Sequence, residues 1–160
     1  MRAIYTKTIM HHITEMLSVG NINDAREPPA KIGALLLVAA EYRLESPNGL
    51  SYGWIPLSEF SEAEPDSLDQ AVSWVEQHLP THRVMVCCRA GMGRSVSVVM
   101  AYLCCVQEMS YAEVLKLVMR HRPGAIPLPK LEDAIKHVRS LREARATGKK
   151  NRPSRPTAAV

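Results

Sequence analysis

The stretch Val84-Met85-Val86-Cys87-Cys88-Arg89-Ala90-Gly91-Met92-Gly93-Arg94-Ser95 decides how this chain folds. An apolar run leads into it, and a helical stretch from Ser97 to Val106 leads out. Strand, glycine-bearing loop and helix in that order build an anion cradle. Successive backbone N–H groups point inward, and the helix N-terminus adds partial positive charge. The first loop residue is a thiol, and the run lacks the Gly-Lys-Ser/Thr ending of a nucleotide-binding loop. A thiol facing an anion site suggests a nucleophile for phosphorus, and Cys88 is that candidate. Loop amides, a helix N-terminus and a nearby guanidinium all favour thiolate over thiol. Arg94 suits the partner role, because its planar fork can bind two phosphoryl oxygens and keeps its proton. The backbone of Arg89, Ala90, Gly91, Met92, Gly93 and Arg94 is the expected phosphate cradle. Gly91 and Gly93 allow a tight curl, including positive φ. Ser95 can donate a hydrogen bond to the thiolate.

Outward from this run, strands alternate with helices. Ile13 to Val19 reads as a short strand entering a Gly20-Asn21 turn. Pro28-Pro29 keep any helix between Asp24 and Gly33 short, or start it. Ala34 to Ala40 is a continuous apolar run, suited to a strand buried on both faces. Tyr52 to Leu57 can form another strand, and Ser61 to Ser67 is a polar, acidic loop. Leu68, Ala71, Val72, Val75 and Leu79 recur at helical spacing, with Asp66 or Ser67 as N-cap. Arg83 to Cys87 is the central strand. The helix Ser95 to Glu108 is apolar nearly all round and so buried. Tyr111 to Arg120 forms a helix with Ser110 and Glu113 as a capping box. Leu131 to Arg145 forms the last, with Leu131, Ala134, Ile135, Val138 and Leu141 in register. The pattern predicts an α/β fold: a central, mainly parallel, twisted sheet of about four to five strands flanked by helices.

At 160 residues the chain reads as one domain, residues 1–146, with a basic tail, residues 147–160, too poor in apolar groups to order itself. Twenty basic against sixteen acidic residues give a net charge of +4, part of it in the tail, so a nucleic-acid surface is not implied. The four cysteines form two adjacent pairs, Cys87-Cys88 and Cys104-Cys105, which suits neither a disulfide framework nor a zinc site. Cys104 and Cys105 lie within an apolar helix and read as buried hydrophobes. Cys87 is either the last buried strand residue or a neighbour available for oxidation with Cys88. The histidines show no metal-ligand spacing, so no metal and no cofactor is expected. Met1 to Met10 lacks the apolar core of a signal peptide, and the apolar helix is too short to span a bilayer. These features together suggest a reducing intracellular compartment such as the cytoplasm.

The run Cys88 to Ser95 resembles the C-x5-R-[ST] signature of the cysteine-dependent protein tyrosine phosphatases. The chain is most similar to their compact dual-specificity branch, over roughly residues 10–142. Gly20-Asn21 with Asp24-Ala25, Ile55-Pro56-Leu57, and Arg122-Pro123 followed by Pro127 fall in the branch's order. The resemblance implies a phosphomonoesterase that works through a phosphocysteine and needs no metal. Its general acid is an aspartate on a loop upstream of the cysteine. Here no Asp stands between Asp24 and Asp66. Aligning Ile55-Pro56-Leu57 puts Glu59 at the acid's place, with Asp66 the second choice and neither a third. Two further departures stand out: Cys87 replaces the usual histidine, and Leu128 replaces an asparagine whose loss implies looser loop packing.

The implied substrates are proteins carrying phosphotyrosine and phosphoserine or phosphothreonine. Phosphoinositide or RNA phosphatase activity ranks second, since Arg89 adds loop charge but Met92 is neutral. The missing aspartate and histidine leave room for a weakly catalytic phosphate-binding module. A rhodanese-like sulfurtransferase also uses a cysteine on an amide-lined loop, but the Arg-Ser ending argues against it.

Overall fold

The computed structural model describes residues 10–46 and 49–150, with side chains to residue 148. Its elements, in chain order, are β1 (His11–His12), β2 (Leu17–Gly20), α1 (Ile22–Arg26), β3 (Ala34–Ala39), β4 (Ser51–Leu57), α2 (Pro65–His78), β5 (Val84–Cys87), α3 (Arg94–Cys105), α4 (Tyr111–His121) and α5 (Leu131–Lys150). The strands form one five-stranded sheet in the order β1-β2-β5-β3-β4. Only the β1–β2 pair is antiparallel, so the expected mainly parallel α/β sheet is the one found.

The apolar run at Ala34–Ala39 is fully buried, as a strand covered by helices on both faces must be. β5 lies in the middle, with Cys87 paired to Gly20 of β2 and to Leu37 of β3. The carboxyl ends of β2, β3, β4 and β5 therefore converge on one edge. In open parallel sheets that edge is where ligands bind. α3 leaves from it and is buried from Arg94 to Cys104, which makes it the core helix against which α2, α4 and α5 pack. The helix at Tyr111 starts with the expected box: the Glu113 N–H donates to Ser110 Oγ, and the Ser110 N–H donates to the Glu113 carboxylate, both at 3.2 Å.

Several boundaries differ from the sequence reading for physical reasons. β2 starts only at Leu17, because the N–H groups of Ile13 and Thr14 both donate to Leu17 O, closing a tight turn from β1. α1 ends before Pro28, and its own box between Asn21 and Asp24 starts it. α2 begins at Pro65, with Glu64 at the cap and no side-chain cap bond, so neither Asp66 nor Ser67 is the N-cap. Proline suits that first position, since its φ is preset and its missing N–H has no helical partner there. α3 stops at Cys105, short of Glu108, which sits at φ 57°.

α5 continues to Lys150, four residues into the segment read from composition as tail. Just before that segment, Arg142 donates to Glu76 at 2.8 and 2.9 Å, and Arg145 donates to Asp69, tying this end of α5 to α2. The remainder of that segment, residues 151–160, lies outside the described residues. Among the described residues, no helix is long and apolar enough to cross a membrane.

Candidate active site

The loop from Arg89 to Gly93 has its carbonyl groups turned outward. Arg89 O accepts from the Ile22 N–H at 3.1 Å, and Met92 O accepts from the Ile126 N–H at 2.8 Å. Gly91 O accepts from Arg122 Nε at 3.0 Å, and Ala90 O from Arg122 Nη2 at 3.5 Å. Gly93 O accepts from the Ser97 hydroxyl at 2.7 Å and from the Ser97 N–H at 2.9 Å. The N–H groups of residues 89–93, by contrast, donate to no protein acceptor among the described residues. Successive N–H groups left open on the inner side of a tight loop form a concavity suited to an anion. The N-terminus of α3, capped by Gly93 with no side-chain bond, adds to it.

The two glycines do different things. Gly91 sits at φ +71°, and a Cβ there would come within 2.6 Å of Arg122 Nη2 and 2.7 Å of Gly20 O. Gly93 has φ −118°, so the positive φ expected of it is absent. Its constraint is the close approach of Ile126 O, 3.3 Å from where a Cβ would stand.

Cys88 Sγ and Ser95 Oγ lie 3.3 Å apart. A thiol there donates to the hydroxyl; a thiolate accepts from it. Cys87 is the last, fully buried residue of β5, and burial pushes its thiol well above the usual range. Of its two expected roles, the structure supports the packing one.

Arg94 is 2% exposed, and its fork is held from behind. Its Nη1 and Nη2 donate to the two carboxylate oxygens of Glu41, at 2.5 and 2.6 Å, and Nη1 also donates to Leu57 O at 3.2 Å. A guanidinium has five N–H donors. Three are used here, and among the described residues Nε–H and one Nη2–H, along one edge of the planar group, make no hydrogen bond. The hydrogen bond from Arg94 lowers the Glu41 carboxyl, and that same bond raises the Arg94 guanidinium.

Glu59 and Asp66 part company. Glu59 follows β4 and lines the cavity that contains Cys88 and Arg94. Its Oε2 lies 3.9 Å from Arg94 Nη2 and 4.0 Å from Arg89 Nη1. Asp66 is exposed in the first turn of α2 and is not part of that cavity. Arg89 itself points to solvent at the rim, with 61% of its side chain exposed.

Three residues that serve this site were not singled out for it from sequence. Glu41 comes just after β3, the strand beside β5, so the topology delivers it to Arg94 across 53 residues. Arg122 is fully buried; its Nη1 donates to His11 Nδ1 at 2.8 Å while it holds the loop carbonyls. Burial lowers that guanidinium, and burial together with the Arg122 charge lowers His11. Ser97 accepts the Leu128 N–H at 2.9 Å while donating to Gly93 O, so the loop beside Leu128 is tied down without the asparagine.

Residues 11–146 match the family model of the dual specificity phosphatase catalytic domain. No curated protein matches the chain by sequence. Among solved structures, the chain is similar to Tk-PTP in its active form, with 21% identity and a TM-score of 0.70 over 82% of this chain and 96% of that one. It is similar to human DUSP28, with 19% identity and a TM-score of 0.69 over 84% and 99%. PTPMT1 in complex with PI(5)P gives 18% identity and a TM-score of 0.70 over 86% and 98%. At these identities the likeness to solved structures speaks for the fold.

Proposed function

Since the chain belongs to the family of dual specificity phosphatase catalytic domains, and with it to the cysteine-dependent phosphatases, we propose that it hydrolyses phosphomonoesters on proteins. Phosphotyrosine and phosphoserine or phosphothreonine are the substrates of this reading, and a phosphocysteine is its intermediate. The observation that carries it is the loop of outward carbonyls and free amides around Cys88, with a two-donor fork of Arg94 facing the same space.

The phosphoryl oxygens dock on the N–H groups of residues 89–93 and on Nε and Nη2 of Arg94. The Cys88 thiolate attacks phosphorus in line, forming an S–P bond as the ester P–O bond breaks. The leaving oxygen takes a proton from Glu59, the carboxyl group at the rim. Water then attacks the phosphocysteine and gives its proton to the Glu59 carboxylate. The S–P bond breaks, and Ser95 stabilises the returning thiolate by donating its hydroxyl across the 3.3 Å gap. Each step uses a charge or dipole already in place, so little reorganisation accompanies the reaction.

Phosphoinositides are the second reading; the exposed guanidinium of Arg89 at the rim favours it. The test of the first reading is hydrolysis of p-nitrophenyl phosphate and of phosphopeptides by the wild type and by Cys88→Ser. The variant should bind the phosphopeptides and hydrolyse nothing. Turnover that survives in Cys88→Ser would refute the mechanism.

A further inference from the structure

Arg122 supports the phosphate loop from its outer side, and a histidine holds Arg122 in place. Its Nε donates to Gly91 O at 3.0 Å and its Nη2 to Ala90 O at 3.5 Å. Among the described residues, no other group donates to either carbonyl. The packing is close, since a Cβ on Gly91 would come within 2.6 Å of Nη2. The remaining nitrogen, Nη1, meets His11 Nδ1 at 2.8 Å. Arg122 is fully buried, whereas His11, on the edge strand β1, is only half-buried and within reach of solvent.

A guanidinium only donates, so this contact requires an Nδ1 without a proton. Neutral imidazole meets the requirement with its proton on Nε2. Imidazolium does not: it sets N–H against N–H, and one cation against another. The contact therefore exists in one protonation state, and histidine is the side chain that ordinarily titrates closest to neutral pH. Among the described residues, two charged side chains act on His11: Arg122 at the end of α4 and Asp24 in α1. Asp24 favours the cation, but its carboxylate already accepts from the Asn21 N–H at 2.9 Å. Burial and the Arg122 charge outweigh it and lower His11 from its ordinary value. On β2 the residue paired with His11 is Val19, which carries no charge.

We infer that His11 is a positioning residue for the phosphate loop: neutral, it fixes Arg122 against the Ala90 and Gly91 carbonyls; protonated, it lets the loop relax and lose its grip on the anion. The neighbouring chain passes the shift on. Arg122 O accepts from the Ala125 N–H at 3.1 Å, and the next residue, Ile126, donates to Met92 O at 2.8 Å, so a displaced Arg122 is felt at Met92 as well. Activity then falls in acid through a group that touches neither the substrate nor Cys88. The inference rests on the phosphatase reading only for the nature of the anion, and anion binding tests it without turnover.

The experiment titrates sulfate, whose charge is constant from about pH 5 to about pH 8, into Cys88→Ser protein and into the same protein carrying His11→Asn. The asparagine amide oxygen stands where Nδ1 stood and accepts from Arg122 at every pH. Comparing the two affinities cancels the titration of every other group. They should be equal at about pH 8, and by about pH 5 the parent should bind roughly three- to tenfold more weakly than the variant, the scale of one charge-assisted hydrogen bond partly lost. NMR titration of the His11 ring in the Cys88→Ser protein needs no second substitution: saturating sulfate should move its midpoint further down, by about half a pH unit or more, as reciprocity requires. An affinity ratio that is constant with pH, a parent that binds more tightly in acid because protonated His11 simply attracts the anion, or a midpoint that sulfate leaves in place or raises would overturn the role. Absence of sulfate binding at about pH 8 would refute the anion site and this role with it. Turnover by the wild type is read separately. Graded sulfate binding without hydrolysis of phosphomonoesters keeps the role of His11 and refutes the proposed function; hydrolysis with a constant ratio keeps the function and refutes the role.

Discussion

Glu41 holds Arg94 by both terminal nitrogens, at 2.5 and 2.6 Å, and so fixes which edge of the guanidinium faces the phosphate loop. Replacing that carboxylate by an amide puts an NH2 group against a nitrogen it should accept from. Glu41→Gln should lower kcat/KM for an aryl phosphate roughly ten- to hundredfold, the scale of one or two charge-assisted hydrogen bonds. Arg94→Lys should lose at least as much, because a point charge cannot reproduce the fork. Steady-state kinetics with p-nitrophenyl phosphate checks both.

The same pair gives a pH dependence of stability. Arg94 holds the Glu41 carboxyl below the usual carboxylate range. A carboxyl lowered by folding stabilises the folded state above its unfolded value, and that contribution fades as pH falls through the lowered one. The Tm difference between wild type and Glu41→Gln should therefore be open at neutral pH and close in acid. A difference that stays constant with pH would contradict the assignment.

Gly91→Ala meets two obstacles at once: a φ of +71° and a Cβ 2.6 Å from Arg122 Nη2. It should destabilise the fold by about 1–3 kcal/mol, the usual cost of a strained backbone position, and reduce anion binding by more than its Tm loss suggests. Thermal unfolding alongside inorganic-phosphate titration separates the two effects.

For proton transfer, Glu59→Gln should cost about 10²–10⁴ in kcat with a poor leaving group such as an alkyl alcohol, and much less with p-nitrophenol, which leaves without help. Asp66→Asn should leave both rates near wild type, since Asp66 faces solvent on α2. Equal losses for both leaving groups in Glu59→Gln would argue against Glu59 as the acid.

Alkylation should be selective among the cysteines. Burial pushes Cys87 well up, Cys104 to about 11, and Cys105 up as well, so all three stay protonated at neutral pH. Iodoacetate should label Cys88 first, and vanadate should slow that labelling. Peptide mapping after partial alkylation reads the outcome.

Much of the architecture was legible because single segments carry it. The apolar run from Ala34 to Ala40 suits a strand covered on both faces, and Cys88 to Ser95 holds the proposed nucleophile, cradle and cation within eight residues. Ser110 with Glu113 announced a helix start through a local bond. What escaped were residues whose role depends on strand order. Glu41 and Leu57 reach Arg94 only because β3 and β4 lie on the same side of β5, and Arg122 reaches Gly91 from 31 residues away. With the loop at the carboxyl edge of a parallel sheet, the residues just past each neighbouring strand face it, and Glu41 is the first charged residue after β3. Asp66 does not cap α2, because Pro65 before it already stands at the first helical position.

The central claim is that Cys88 takes the phosphoryl group. Wild-type protein turning over p-nitrophenyl phosphate, quenched in acid within a turnover and digested, should yield a phosphorylated peptide containing Cys88, and Cys88→Ser should yield none. A phosphoryl group on any other residue, or turnover with no phosphorylated peptide under conditions where hydrolysis of the intermediate limits the rate, would contradict it.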